Sequence, residues 1–436
     1  MNNGFSVCNV VSRCALLAFM ALALQIARAD TYNVNTTADL PDDGGAVSAC
    51  HTSAGTCSLR AAIMKANQAD GSSVIHVPAG MYLLTIPPSG SDGDDTGDLN
   101  LASPVGADQE IQILGEDAAT TIIDGNHMDG VITVEPTRRA YITGVTIRNG
   151  VSDLGGGILF NFAGPSIITF CVIEDNRADL GGGVLITGGP LVITGSTIRS
   201  NVAANLGGGL YLGGPTSIHN STLNDNGAEG IDDVEGEGGG GIFSNSDVYI
   251  VDSTLSGNYA NANGGGIRSI GTAFLYNTSV IGNDADHDHD MSGGIGGGVY
   301  AAAGSRFGVV NTLIASNTVA VFTENNCDGA LEAYGMNLLD ERDGCTTTTS
   351  DANLGFVSPS SIGPLQDNGG DTWTHALLPG SEAIDNTIDS LGCVDEIGAP
   401  LTIDQRGAPR VIGARCDVGA FEYALADLIF QGDFEL

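Results

Sequence analysis

Through the middle of the chain, apolar and polar positions alternate in short runs. Examples are Ile142-Thr-Gly-Val145-Thr-Ile147, the stretch 191–198 with Leu191, Ile193 and Ile198, and the stretch 248–255 with Val248, Ile250 and Leu255. Alternation rich in β-branched residues and punctuated by Gly, Asn and Asp predicts short strands. No stretch of this region carries a 3.6-residue apolar period long enough for a helix between strands. A longer repeat is superposed on the alternation. Glycine runs at 155–157, 181–183, 207–209, 238–241, 264–266 and 296–298 are followed by Ile158, Val184, Leu210, Ile242, Ile267 and Val299. Asn149, Asn176, Asn201, Asn226, Asn258, Asn283 and Asn317 mark a second recurring point. From each glycine run to the next marked Asn is 17 to 19 residues; from Asn to the end of the next run is 7 or 8, and 15 in two repeats. The period is therefore about 25 residues, with two repeats lengthened at one point.

A repeat of this length that holds only short strands predicts an all-β, right-handed parallel β-helix. Each turn would contribute two or three strands that pair with those of the next turn about 4.8 Å away. The handedness follows from the near-universal hand of parallel crossovers. Glycine at a fixed corner supplies positive φ and close backbone approach. Asn at a fixed corner can donate to and accept from its neighbours one turn above and below. A Gly-rich flexible linker is the plainer alternative, but linkers do not keep apolar alternation in register.

A stack of parallel turns exposes apolar cross-sections at its ends, which need caps. The N-terminal candidate is Cys57-Ser-Leu-Arg-Ala-Ala-Ile-Met-Lys-Ala-Asn67, with Ser58 as N-cap and Leu59, Ile63 and Ala66 on one helical face. It is the one convincing helix. These residues resemble the CSLREA domain of exported bacterial proteins, as do Val77-Pro-Ala-Gly-Met-Tyr-Leu83 and Gly97-Asp-Leu-Asn100. Where that family has Glu this chain has Ala61, so the reciprocal half of a capping box is missing. Further on, Gly363-Pro-Leu-Gln-Asp-Asn-Gly-Gly370, Thr374-His-Ala-Leu-Leu-Pro-Gly-Ser381, Asp404-Gln-Arg-Gly407 and Cys416-Asp-Val-Gly-Ala-Phe-Glu422 resemble the choice-of-anchor Q domain. The glycine repeats resemble, more loosely, those of polymorphic outer-membrane proteins. These resemblances imply a right-handed parallel β-helix and bring no active site with them. The expected organisation is a signal peptide at 1–29, a cap and first strands at 30–110, repeats at 111–325, a C-terminal module at 326–423 and a tail at 424–436.

Composition adds compartment and charge. Residues 15–27 form an apolar run followed by Ala27-Arg-Ala29, the pattern of a cleaved secretory signal, and the run is too short to span a bilayer. An exported protein without a transmembrane segment is expected, at the cell surface or outside it, as a monomer. Six cysteines fall in close pairs, Cys50/Cys57, Cys327/Cys345 and Cys393/Cys416, which read as local disulfides in an exported chain. Cys171 reads as a buried small apolar residue. The formal net charge is −37, and cleavage of the signal would remove two arginines and no acid. Such a surface repels nucleic acid, anionic membranes and polyuronates and favours cations.

Acidic loops are the candidate chemistry. The lengthened repeats hold Glu229, Asp232, Asp233, Glu235 and Glu237 in one case, and Asp284, Asp286, Asp288 and Asp290 with His287 and His289 in the other. Alternate carboxylates at 284–290 could wrap Ca²⁺, and the interleaved His could suit Zn²⁺. Asp92, Asp94 and Asp98 begin a loop with oxygen side chains at the spacing of the first half of an EF-type calcium loop, but position 12 is Ser103. A solvated acidic loop is the plainer reading of each. No catalytic residue is assigned. The expected function is non-catalytic binding of a glycan or cell-surface protein. The alternative is a polysaccharide hydrolase or lyase that uses the acidic corner loops. Arg148, Arg199 and Arg268 could serve a lyase as bases; structural pairing is the better reading.

Overall fold

The computed structural model describes residues 29–46, 49–90, 93–102, 109–230, 237–288, 294–320, 323–388 and 392–424. The chain winds as a parallel β-helix, as its alternation predicts. One coil comprises Val184–Ile186, Leu191–Thr194, Thr197–Arg199 and Val202–Leu206, here called the first to fourth strands. Each pairs in parallel with its counterpart one coil away, as in Ile173↔Ile198↔Leu223↔Leu255 on the third strands. The third-strand sheet has 11 strands among the described residues. Alternate residues point inward and stack in register. Ile147, Ile173, Ile198, Leu223, Leu255, Val280 and Ile314 are fully buried in one such column, which merges with the first- and second-strand columns into one continuous core.

Corner chemistry explains the repeat. The first glycine of each three-residue run has positive φ, from +62° at Gly155 to +73° at Gly264, and in the four-residue run both Gly238 (+119°) and Gly239 (+72°) do. The next two pass so close to the neighbouring coil that a Cβ on Gly182 would lie 2.5 Å from the Gly208 carbonyl oxygen. After the third strand, Asn176, Asn201, Asn226, Asn258, Asn283 and Asn317 form a buried ladder. In each step, one Oδ1 accepts both the backbone N–H and the side-chain N–H of the preceding Asn, as Asn201 does from Asn176 at 3.1 and 2.9 Å. Each Nδ2 also donates to a carbonyl of the coil before, such as Asn201 to Ile173 at 2.9 Å. Asn149 stands one position before this ladder, at φ 58°; Gly150 holds the ladder position and donates its N–H to Asn176. The sequence pattern places Asn149 one residue out because αL corners and ladder sites both select Asn.

The N-terminal helix α1 spans Leu59–Gln68, with Ser58 Oγ accepting the Ala61 N–H at 3.0 Å. Its apolar face packs on the first coil, and its two cations are buried and paired. Arg60 Nε donates to Asp39 at 2.7 Å, and Lys65, the one lysine of the chain, lies 2.8 Å from Asp42. Disulfides join Cys50 to Cys57, Cys327 to Cys345 and Cys393 to Cys416, and Cys171 is free and buried. Among the described residues no helix is long and apolar enough to cross a membrane.

The C-terminal region departs from the expected plan. Parallel pairing continues past residue 325, through Cys327–Tyr334, Asn337–Leu339 and Leu354–Phe356. The Cys327–Cys345 disulfide forms as its spacing predicts. Cys345 opens the strand Cys345–Thr347, which pairs in parallel with Gly329–Leu331 of the strand that Cys327 begins. The two cysteines therefore stand on successive coils, their Cα atoms 5.2 Å apart, with Cys327 buried and Cys345 half-buried against the coil's core. A short coil returns the chain over itself within 18 residues, so a bridge between coils has the spacing of a bridge within a loop. The chain then turns back and lies along the outside of the coil as a strap. The strap contains the antiparallel pair Ile362–Gln366 and Thr374–Leu377 and ends in irregular turns. Val357, Ala383, Val418 and Phe421 form with Leu313, Ala315 and Leu338 a second apolar cluster between strap and coil.

Candidate functional site

Asp92 and Asp290 lie outside the described residues, as do Asp232, Asp233, Glu235, His289 and Ser103. Asp94 accepts Asn67 Nδ2 at 2.9 Å. Asp98 is buried and accepts Asn100 Nδ2 at 2.9 Å and Thr133 Oγ1 at 2.5 Å. These carboxylates tie the loop to α1 and the first coils. Asp284 is a strand residue that accepts Thr318 Oγ1 at 2.6 Å and contacts His287 Nδ1 at 3.0 Å. Asp286 follows it, buried at φ 51°, and Asp288 is exposed. Among the described residues no three His, Cys, Asp or Glu side chains converge as a metal-holding group. Both lengthened repeats leave the coil after the same ladder position, since Ala228, Ala260 and Ala285 are in register. Beside them, Glu229 is held by Arg177 at 2.9 Å and by the Tyr259 hydroxyl at 3.3 Å.

The strap network built on His375, Asp404, Arg406 and Arg410 is a packing device, placed along the coil's flank. His375 Nδ1 donates to the Gly363 carbonyl at 2.7 Å, which leaves Nε2 to accept from Ser256 Oγ at 2.9 Å. Burial lowers the pKa of this imidazole. Gln405 Oε1 accepts Thr254 Oγ1 at 2.6 Å, and Thr222 Oγ1 donates to the Trp373 carbonyl at 2.6 Å.

The strap covers the third-strand face from Thr222 onward and leaves the preceding coils open. The open part forms a groove of about 630 Å³, within the range of small-ligand sites. Its floor is set by strand register. One outward row runs Ile122–Thr146–Val172–Thr197, and a parallel row runs Asp124–Arg148–Glu174–Arg199. The second row alternates in sign and pairs within itself: Arg148 Nε donates to Asp124 at 2.8 Å, and an Arg199 terminal nitrogen to Glu174 at 2.6 Å. Arg268 is clamped between the Phe243 and Tyr300 rings and bonded to the Glu237 carbonyl. The pairing reading of the three arginines therefore holds. Glu116, Asp117 and Asp371 add exposed carboxylates at the rim. Cys171 lies in the floor, its thiol pushed up to about 12 by burial, which makes it inert as a nucleophile.

Phe170 is not a residue that its corner calls for. It occupies the corner between second and third strands at φ 52°, half exposed, on the groove wall. At the same corner of the other coils stand Gly144, Gly195, Asn220, Asp252, Asn277, Asn311 and Gly335, all at positive φ. Gly, Asn and Asp suit αL; a bulky aromatic there is strained. The Asn and Asp members also hold the strap, as Asn220 Nδ2 does through the Asp404 carbonyl and Asn277 Nδ2 through that of Val394. Phe170 does neither; its ring lies over Gly195, where a Cβ would come within 2.8 Å of it. The signal was present in the sequence as the one aromatic at that corner, but it becomes visible only once the corners are aligned.

No protein-family profile matches the chain, and no curated protein does. Among solved structures, it is similar to a crystal structure of pectate lyase Pel9A, with a TM-score of 0.44 and 13% identity over 90% of this chain and 96% of that one. That likeness is one of general coil architecture.

Proposed function

We propose that this chain is an exported β-helix protein that binds an uncharged glycan in the groove beside Phe170, without turning it over. The observation that carries the reading is Phe170 itself. A strained, half-exposed aromatic on a rigid groove wall is a side chain kept for contact, since strain of this kind clusters at ligand sites. An aromatic ring offers a flat apolar surface to the C–H face of a sugar, and the neighbouring Glu174, Arg199 and Thr197 present acceptors and donors to hydroxyls. Uronate polymers are disfavoured by the acidic rim and by the net charge of −37. Both strand-borne acids, Asp124 and Glu174, are engaged by arginines, which argues against their serving as the acid/base pair of a hydrolase. Export rests on the signal-like residues 1–29 and agrees with three disulfides. The CSLREA and choice-of-anchor Q resemblances belong to the same reading.

The test is a glycan array probed with the signal-free chain and its Phe170→Ala variant. Binding to neutral glycans that falls at least about tenfold in the variant supports the reading. Binding unaffected by the substitution, or release of new reducing or unsaturated ends from any polysaccharide, overturns it.

A further inference from the structure

The groove is walled on four sides. At one axial end the turn 116–119 leans over the face, its Ala118 carbonyl accepting Thr146 Oγ1 at 2.7 Å. At the other end the strap arrives: Thr372 Oγ1 donates to the Asn220 carbonyl at 3.1 Å, and Asp371 lines the groove. Phe170 stands on one side, and the floor row that holds the Glu174–Arg199 pair edges the other. Between the axial walls lie the strands Thr146–Arg148, Val172–Glu174 and Thr197–Arg199. From the Thr146 strand, where one wall is anchored, to the Thr222 strand under the strap is three strand spacings, about 14 Å, an outer limit of roughly three sugar rings.

Beyond that wall the outward row does not end; it is occupied. Thr222, Thr254, Ser256 and Ser279, the continuation of the two floor rows, all bond to the strap. A ligand running along the coil axis would have to displace those bonds and the apolar cluster beneath the strap.

We propose that the groove takes a short uncharged oligosaccharide, or the terminal rings of a longer chain, and that the strap at Asp371 sets its outer limit. This rests on the glycan-binding reading above. It goes further in naming a length and an end, where an open β-helix flank would take the interior of a polymer.

The experiment is titration calorimetry of the signal-free chain with size-graded gluco-, xylo- and manno-oligosaccharides. For the series that binds, affinity is expected to rise up to about three rings and then stay level within about twofold. An affinity that keeps climbing, by tenfold or more from about three rings to eight, overturns the length limit while leaving glycan binding intact. Binding by no series overturns both. Asp371→Arg puts a long side chain at the exposed end wall and is expected to weaken the three-ring ligand by about fivefold or more. The fluorescence of Trp373, the single tryptophan, reports whether the strap stays docked in that variant. Unchanged affinity in Asp371→Arg with unchanged fluorescence removes the strap from the site.

Discussion

Arg410 and Asp252 meet across the boundary between strap and coil, with 3.4 Å between the guanidinium and Asp252 Oδ1. Both side chains are buried, and Arg410 also donates to the Gly419 carbonyl at 2.5 Å. Asp252 occupies one of the αL corners, so the coil's own geometry aims a carboxylate at the strap. Arg410→Met would keep much of the volume but leave Asp252 buried without its cation. Above pH about 7, where Asp252 is ionised, breaking one side of such a pair costs about 3–5 kcal/mol. The expected outcome is selective loosening of the strap, read as faster hydrogen exchange in residues 402–423 with the coil's Asn ladder still protected. Equal loosening throughout would show that strap and coil unfold as one unit.

Strap docking should weaken as pH rises. Burial pushes Asp252 up to about 7, Glu422 up to about 7 and Asp417 up to about 6, from ordinary values of 3.8, 4.5 and 3.8. Arg410 acts against burial in all three, while Asp404 and Asp395 add to it at Asp252 and Asp417 adds to it at Glu422. Each folded pKa lies above the unfolded one. The folded state therefore holds protons that the unfolded state has released between pH about 4 and about 7. The stability from these groups is complete below pH about 4 and is lost as pH passes through about 6 to 7. Trp373 fluorescence against denaturant at about pH 5 and pH 8 measures it, with the lower midpoint expected at pH 8. A higher midpoint at pH 8 would mean that these carboxylates are ionised and stabilising in the folded protein.

The Asn ladder should be intolerant of small changes. Asn226 Oδ1 accepts from the Asn201 backbone and side chain, and its Nδ2 donates to Asn258 Oδ1 and the Ile198 carbonyl. Asn226→Ala would leave buried donors and an acceptor unpaired, at about 2–4 kcal/mol. Asn226→Asp should cost more, because it buries a carboxylate oxygen against two acceptors, Asn258 Oδ1 and the Ile198 carbonyl. Denaturant unfolding of both variants checks the order; an Asp variant as stable as wild type would show that the ladder does not hold the coil together.

Much of this scaffold could be read from the chain. Alternation located the strands, the glycine runs and Asn marked two corners, Ser58 located the helix start, and close pairing located the disulfides. The strand, glycine and Asn signals recur every coil, so errors average out. What stayed hidden depends on contacts that no local period announces. Spacing gave Cys327 and Cys345 as partners but not that their bridge joins two coils, because the coil there is too short to show the 25-residue repeat. The strap meets Thr222 and Asn220 through Trp373 and Asp404, more than 150 residues away. The groove exists only because the strap stops at Asp371. The acidic loops stand out in the sequence by their charge, whereas an aromatic in an αL corner is conspicuous only in three dimensions.

Chelation should leave stability unchanged. Asp94, Asp98 and Asp284 already accept hydrogen bonds from Asn67, from Asn100 and Thr133, and from Thr318. A cation would have to replace those donors. Tm is expected to stay within about 1 °C on adding EDTA or millimolar Ca²⁺. A rise of about 5 °C with Ca²⁺ that Asp98→Asn abolishes would support the calcium reading of the first acidic loop; the same result with Asp284→Asn would support the second.

Phe170 separates a binding role from a packing role. Asn suits φ 52° and stands at this corner in other coils, so Phe170→Asn removes backbone strain of about 1 kcal/mol. It also removes the contact of a half-exposed ring with Gly195, worth a similar amount. The two effects offset, and Tm should move by no more than about 3 °C. Glycan binding should nevertheless fall at least about tenfold, because the groove loses its one exposed aromatic wall. Parallel thermal melts and glycan titrations of wild type and Phe170→Asn decide it. If Phe170 were held by packing, the melt would drop by many degrees and binding would fall only as far as unfolding explains.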